Sequence, residues 1–288
     1  MPLHEQDLPR PLRAVAIYGP GLIGGSLAKA LARHRPDTAI RIWSRTASCE
    51  KARRNFPATL VSDDPAVVAD GASLAVFCMP VENMENVARS ITAALPPDCV
   101  VTDAGSTKKL VCERLESLLG SRFVGSHPMA GSEQSGADAA RAGLFEGATC
   151  IVTPTARTSP AAIDAATRLW HAVGGRVVSM SPAEHDKLVS RASHLPHALA
   201  ATLASTVGSR LPAALAVTGR GFRDTTRIAA GPPPMWTGIF LDNRRELLEA
   251  LGEFSGKLDE LTRLLEAGDA PGLTEFLEHA RSVREGIE

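Results

Sequence analysis

The segment GSHPMAGSEQSG, residues 125 to 136, sets one imidazole, His127, between a serine and a proline among small residues. Imidazole titrates near neutrality, so at the edge of a ligand cleft it suits removal of a proton from an alcohol. Pro128 restricts the backbone of His127, and Gly125 and Gly131 are expected to keep the walls around it thin. A second segment, IYGPGLIGGSLAKAL, spaces Gly19, Gly21 and Gly24 as G-x-G-x-x-G where a β-branched run passes into a helical one. The first glycine permits a tight turn, the second a close approach of a pyrophosphate, and the third close packing of helix on strand. The first helical turn, with Leu22, Ile23 and Gly24, then faces the phosphates. A dinucleotide is the expected ligand.

Which dinucleotide depends on the end of the second strand, where an acid would bind the ribose 2'-hydroxyl of NAD. This chain has IWSRTAS there: Ser44 and Thr46 offer hydroxyls, Arg45 offers a planar cation, and no carboxylate is at hand to repel a phosphate. NADP is therefore expected, with NAD possible; the alternative for Arg45 is a solvated surface position. A third segment, TDAGSTK (102 to 108), brings Ser106 to another strand end, on the sheet edge where ligands of open α/β folds bind.

The elements that must position these groups alternate through about residue 180. Strand-like runs at 14 to 19, 39 to 44, 73 to 80, 99 to 105, 122 to 128, 149 to 155 and 176 to 181 are separated mostly by helix-period segments. Such alternation predicts parallel pairing with right-handed crossovers, hence a doubly wound α/β sheet. The strand signals then stop, and SPAEH starts a helix with Ser181 as N-cap, Pro182 in the first position and Glu184 completing a capping box. The expected domains are 1 to 180, dinucleotide-binding, and 181 to 288, helical. Leu247, Leu251, Phe254, Leu258, Leu261 and Leu265 form one stripe along a long helix, to be covered by its own domain or by a second subunit.

Composition narrows the class. With 288 residues, 44% hydrophobic and 22% charged, the chain has room for two soluble domains. A net charge of -1 gives no basic field for nucleic acid or anionic lipid, and no apolar run is long enough to cross a bilayer. Five cysteines without a C-x-x-C pair indicate neither a disulfide framework nor a zinc site, and fit a reducing cytoplasm. The N-terminal MPLHEQDLPRPLR reads as a short tail rather than a secretory signal.

Taken together, GPGLIGGSLAKAL, DAGSTK, GSHPMAGSEQSGADAARAGLFEG, SHLPHALA and GFRDTTRIA make the chain resemble the prephenate and arogenate dehydrogenases of tyrosine biosynthesis over nearly its whole length. The resemblance implies a Rossmann-type domain followed by an all-α dimerisation domain, a homodimer, and NAD(P)-dependent oxidative decarboxylation of a cyclohexadienol. Prephenate would give 4-hydroxyphenylpyruvate; arogenate, or either substrate of a broad-specificity enzyme, is the alternative. By the same resemblance His127 is the catalytic base, and Ser106 orients it and the nicotinamide. His197 binds substrate and Arg227 grips a carboxylate; Asp224 holds the arginine's loop. Glu133 takes part in an ionic gate, unless it is a solvated loop carboxylate, and Ser132 lines the same loop. His194, three residues before His197, is expected to be structural, and no acid or cysteine completes a metal set with the pair. Pro196 is expected to kink its helix. The sequence departs from many relatives at Ser44, where they place an aspartate.

Two rival readings remain. A β-hydroxyacid or imine-reductase type enzyme would use a lysine of the second domain, for which Lys187 is the candidate. A non-catalytic NADP-binding sensor would need only the dinucleotide site and the helical stripe.

Overall fold

The computed structural model describes residues 12–57, 59–131, 136–210 and 212–287. Its strands are β1 (Ala14–Tyr18), β2 (Ala39–Trp43), β3 (Leu60–Ser62), β4 (Leu74–Phe77), β5 (Val100–Asp103), β6 (Phe123–Pro128), β7 (Thr149–Thr153) and β8 (Arg176–Ser179). Among the described residues they form one eight-stranded sheet of order β3-β2-β1-β4-β5-β6-β7-β8. β1, β4, β5 and β6 are buried at every position, as central strands covered on both faces must be. The covers are α1 (Leu22–His34), α2 (Thr46–Asn55), α3 (Pro65–Ala69), α4 (Val81–Ile91), α5 (Lys109–Leu119) and α6 (Pro160–Ala172). One core packs Val15, Ile17, Leu27 and Leu31 with Phe145 and Trp170. The other packs Tyr18 and Phe77 with Met84, Leu115 and Phe123 on the opposite face.

Two departures from the sequence expectation concern the sheet. β3, only three residues long and partly exposed, extends it beyond β2. β6 and β7 pair antiparallel, whereas every other pair is parallel. The reason is the connection between them. Among the described residues no α-helix crosses the sheet there; residues 136–148 run over α1 through the short turns Ala137–Ala139 and Ala142–Phe145. The chain thus re-enters from the edge it left, and β7 must run backwards. The sheet order reverses between β1 and β4, which opens a crevice at their carboxyl ends.

From Pro182 onward the described chain is helical: α7 (Pro182–Val189), α8 (Leu195–Arg210), α9 (Arg220–Thr226), α10 (Pro233–Asp242), α11 (Arg244–Ala267) and α12 (Ala270–Glu285). Ser181 caps α7 as expected, its hydroxyl accepting from the Glu184 amide at 3.2 Å. Between α7 and α8 lies one π-helical turn, Ser190–His194. Pro196 lacks the N–H that would bond one turn back, and the wider turn before it absorbs the mismatch. Of the stripe on α11, Leu247 is buried, whereas Phe254, Leu258 and Leu265 are 37%, 50% and 61% exposed. Leu251 and Leu261 are half-buried, so its own chain covers the stripe fully only at its start.

Candidate active site

The glycine loop meets the geometric demands of a dinucleotide. Gly19 has φ +99° and donates its amide to the Trp43 carbonyl at 3.1 Å, turning the chain between β1 and β2. A Cβ on Gly24 would collide with the Gly19 carbonyl and approach Ile17 to 3.0 Å, so helix α1 can lie this close to β1 only with glycine there. Gly21 meets nothing within 4 Å, which leaves the backbone bare toward the crevice. The first α1 amides, those of Leu22, Ile23 and Gly24, have no acceptor inside the helix and are disposed to an anion.

This crevice forms a cleft of about 520 Å³ lined by Gly19, Gly21, Ser44, Arg45, Ser48 and Lys51, among others. Ser44 is 2% exposed and its amide bonds Ser62 at 3.0 Å. Arg45 precedes α2 and is exposed, while Thr46, the third expected contact, does not line the cleft. Ser48 and Lys51, one and two turns further along α2, replace it; the helical period after Arg45 could have pointed to them. Lys51 pairs with Asp138 at 2.6 Å, Lys29 donates to the Ala140 carbonyl at 2.8 Å, and the Arg141 amide donates to Ser26 at 3.0 Å. The segment following the histidine loop is thereby fastened to α1 and α2. A Cβ on Gly25 would approach that of Ala140 to 2.8 Å, so the second glycine of the pair serves this contact.

His127 lies in β6, only 8% exposed, at the carboxyl edge of the sheet. Its Nδ1 is 2.9 Å from Nε2 of His185, whose Nδ1 is 2.8 Å from Oδ1 of Asp186. Asp186 also accepts the amides of Lys108 and Lys109 at 2.8 and 2.9 Å, capping α5 from across the domain junction. Burial, reinforced by His185, Lys108 and His194, holds His127 well below the usual imidazole range. Burial also lowers His185, although Asp186 opposes the shift. For Asp186 burial pushes upward, but the bonds from His185 and the two amides prevail and keep its carboxyl low. At neutral pH the group is thus a carboxylate and two neutral imidazoles.

Beneath it, the fully buried Asp103 and Lys108 side chains form an ion pair. Asp103 also accepts the amides of Gly105 at 2.8 Å and Ser126 at 3.0 Å. The pair thereby fixes both the turn that carries Ser106 and the residue before His127. Gly125 has a different role from the one expected: a Cβ there would collide with Thr153 and approach Cys112 to 2.7 Å, so it admits β7 and α5 rather than thinning the wall of a cleft.

On the helical side, His197 is buried and stacks on Trp236, ring centroids 3.5 Å apart and 12° from parallel. Trp236 was not singled out in the sequence. Nδ1 of His197 and Nε2 of His194 are buried and have no hydrogen-bond partner among the described residues. His194, pushed down to about 4 by burial, lies 3.2 Å from Asn243 through Nδ1. Asn243 in turn donates to the Asp186 carbonyl at 2.8 Å. Arg227 opens the turn Arg227–Ala230 and, with Asp224 on α9, is exposed. The end of that turn packs on the aromatic pair, because a Cβ on Gly231 would approach His197 to 3.3 Å. Ser132 and Glu133, like Gln134, lie outside the described residues. Lys187 is on the exposed side of α7.

The doubly wound sheet with its glycine-loop crevice, followed by a helical half, is the architecture of a two-domain nicotinamide dehydrogenase. Residues 27–179 match the family described as prephenate dehydrogenase, nucleotide-binding domain, and residues 181–279 match the prephenate dehydrogenase dimerization domain. The chain is 35% identical over 277 residues to the cyclohexadienyl dehydrogenase of Zymomonas mobilis subsp. mobilis, covering 94% of each. It is 34% identical over 285 residues to the prephenate dehydrogenase of Bacillus subtilis, covering 95% of this chain and 76% of that one. A prephenate dehydrogenase from A. aeolicus in complex with hydroxyphenyl propionate and NAD+ shares the fold with a TM-score of 0.91 and 35% identity, over 97% of this chain and 99% of the other. The chain belongs to the prephenate dehydrogenase family, and the resemblance carried by its motifs is borne out.

Proposed function

We propose that this protein catalyses the oxidative decarboxylation of prephenate to 4-hydroxyphenylpyruvate, using NADP and acting as a cytoplasmic homodimer. The observation that carries the reading is the neutral, buried imidazole of His127 on the same sheet edge as the glycine-loop crevice. A nicotinamide held by the glycine loop and the first α1 amides would supply the acceptor for a hydride from C4 of the substrate ring. His127 takes the proton of the 4-hydroxyl, and its low basicity keeps it ready at neutral pH. Loss of the ring carboxylate as CO2 then leaves an aromatic ring, so the chain's main task is to position the reactants.

Ser106 orients His127 and the nicotinamide from the turn after β5. His197, with an unmatched Nδ1 and Trp236 stacked behind it, supplies a polar contact to the substrate. Arg227 binds a carboxylate and Asp224 holds its loop; by the resemblance alone, Glu133 and Ser132 also serve the substrate. The exposure of Lys187 disfavours a lysine-based dehydrogenase.

NADP is favoured because Arg45, Ser48 and Lys51 line the cleft beside Ser44, where an aspartate would repel a 2'-phosphate. NAD is the alternative, since the A. aeolicus relative was crystallised with NAD+. The name of the Zymomonas relative favours a second reading, broad specificity that includes arogenate. Assays of the purified enzyme with both substrates and both cofactors decide these points. Prephenate with NADP should give the highest kcat/KM, and Arg45→Ala should lower the NADP value about tenfold, the equivalent of ~1.4 kcal/mol, while sparing NAD. Turnover of arogenate alone would overturn the substrate choice.

A further inference from the structure

The contacts around His127 run in one direction. Oδ1 and Oδ2 of Asp186 face the amides of Lys108 and Lys109 at 2.8 and 2.9 Å. Amides only donate, so the carboxylate is an acceptor throughout. His185, 2.8 Å from Oδ1, must therefore carry its proton on Nδ1. A neutral imidazole with Nδ1 protonated has only a lone pair on Nε2. That lone pair lies 2.9 Å from Nδ1 of His127, so Nδ1 of His127 must in turn donate. The proton positions are thus set one after another by a helix-capping carboxylate, and the lone pair of His127 falls on Nε2.

We infer that His185 and Asp186 are positioning residues, which lock His127 in the Nδ1-protonated tautomer so that Nε2 is the atom that accepts the substrate proton. The inference rests on the proposed role of His127 as base. When the substrate hydroxyl gives up its proton, Nε2 gains it and Nδ1 keeps its own. The resulting imidazolium donates through Nδ1 to His185, and Asp186 supplies the compensating negative charge through His185's Nδ1–H. No further proton has to move. Lys108 does not compete for Asp186, because its ammonium is committed to Asp103. Burial and the neighbouring cation keep both rings neutral before reaction, the condition under which the tautomer matters. In serine hydrolases the comparable loss of an orienting carboxylate leaves the wrong tautomer and lowers kcat about 10⁴-fold.

The test combines kinetics with nitrogen NMR of full-length protein labelled with ¹⁵N-histidine, His127 being assigned by its disappearance in His127→Asn. In the unsubstituted protein Nε2 of His127 should be pyridine-like and Nδ1 pyrrole-like. His185→Leu removes the acceptor; the other tautomer should then appear, and kcat should fall at least about 100-fold with KM for the dinucleotide unchanged. His185→Gln, whose side-chain oxygen can accept from Nδ1, should restore the tautomer and most of kcat. A pyrrole-like Nε2 in the unsubstituted protein, or a His185→Leu enzyme with undiminished kcat, would overturn the inference. If His185→Leu does not fold, the unsubstituted spectrum and His185→Gln still decide it. Failure of the functional reading is seen separately, as no turnover of either substrate by an unsubstituted protein that has the expected tautomer.

Discussion

His127 and the residues around it show what one position can and cannot reveal in a sequence. The role proposed for His127 comes from the family motif around it and from its place at a strand end, since a lone histidine in a loop would carry little weight. His185 and Asp186 were not legible, since EHDK reads as the first turn of a capped helix, and 58 residues separate His185 from His127. Nothing in the sequence marks the burial of these two adjacent ionisable residues near the start of α7, where solvent would be expected. The surroundings of His127 give its titration a measurable sign. Burial, His185, Lys108 and His194 all disfavour the imidazolium, so the acid limb of kcat/KM should lie well below pH 6.5, the value for a free imidazole. An acid limb at or above 6.5 would show that another group controls the reaction. Stability follows the same sign. As pH falls below about 6.5 the unfolded chain takes up a proton that the native His127 refuses, and the native state loses ground until its own, lower pKa is reached.

Among the elements, the strands that were legible carry apolar or β-branched runs of four residues or more, and the one that was hidden, β3, is three residues long with a single buried position. The reversal at β7 was hidden for another reason. A parallel crossover is inferred from a helix between strands, and the described part of this connection, 136–148, has only short turns fastened to α1 and α2. The turn between β5 and α5 depends on a buried ion pair that the motif TDAGSTK contains but does not announce. Lys108→Met would leave the Asp103 carboxylate buried and unpaired, and should destabilise the protein by about 3–5 kcal/mol. Denaturant unfolding measures this; a loss below about 1 kcal/mol would mean that the carboxylate finds water or a proton without strain.

For the whole molecule, the proposed partner of the helical half is a second copy. The open part of the α11 stripe, with Leu258 50% and Leu265 61% exposed, is apolar surface that one chain leaves uncovered, and it lies within the segment matching the dimerization domain. Leu258→Glu should convert a dimer to a folded monomer, seen by sedimentation equilibrium, because the side chain carries little of the chain's own core. A dimer unchanged in affinity would place the seam elsewhere. The order of the two halves was readable from the change in hydrophobic period near residue 180, whereas their joint was not, because it consists of polar groups contributed one or two at a time. One of them, Asp186, holds the start of α5 with one hand and the ring of His185 with the other. Because His185 and Asp186 travel together on α7, any swing of the helical half away from the sheet would break the Asp186 contacts to α5 and the His185 contact to His127 at once. Opening the molecule would therefore disarm the base, and substrate would meet a competent imidazole only after the halves have seated.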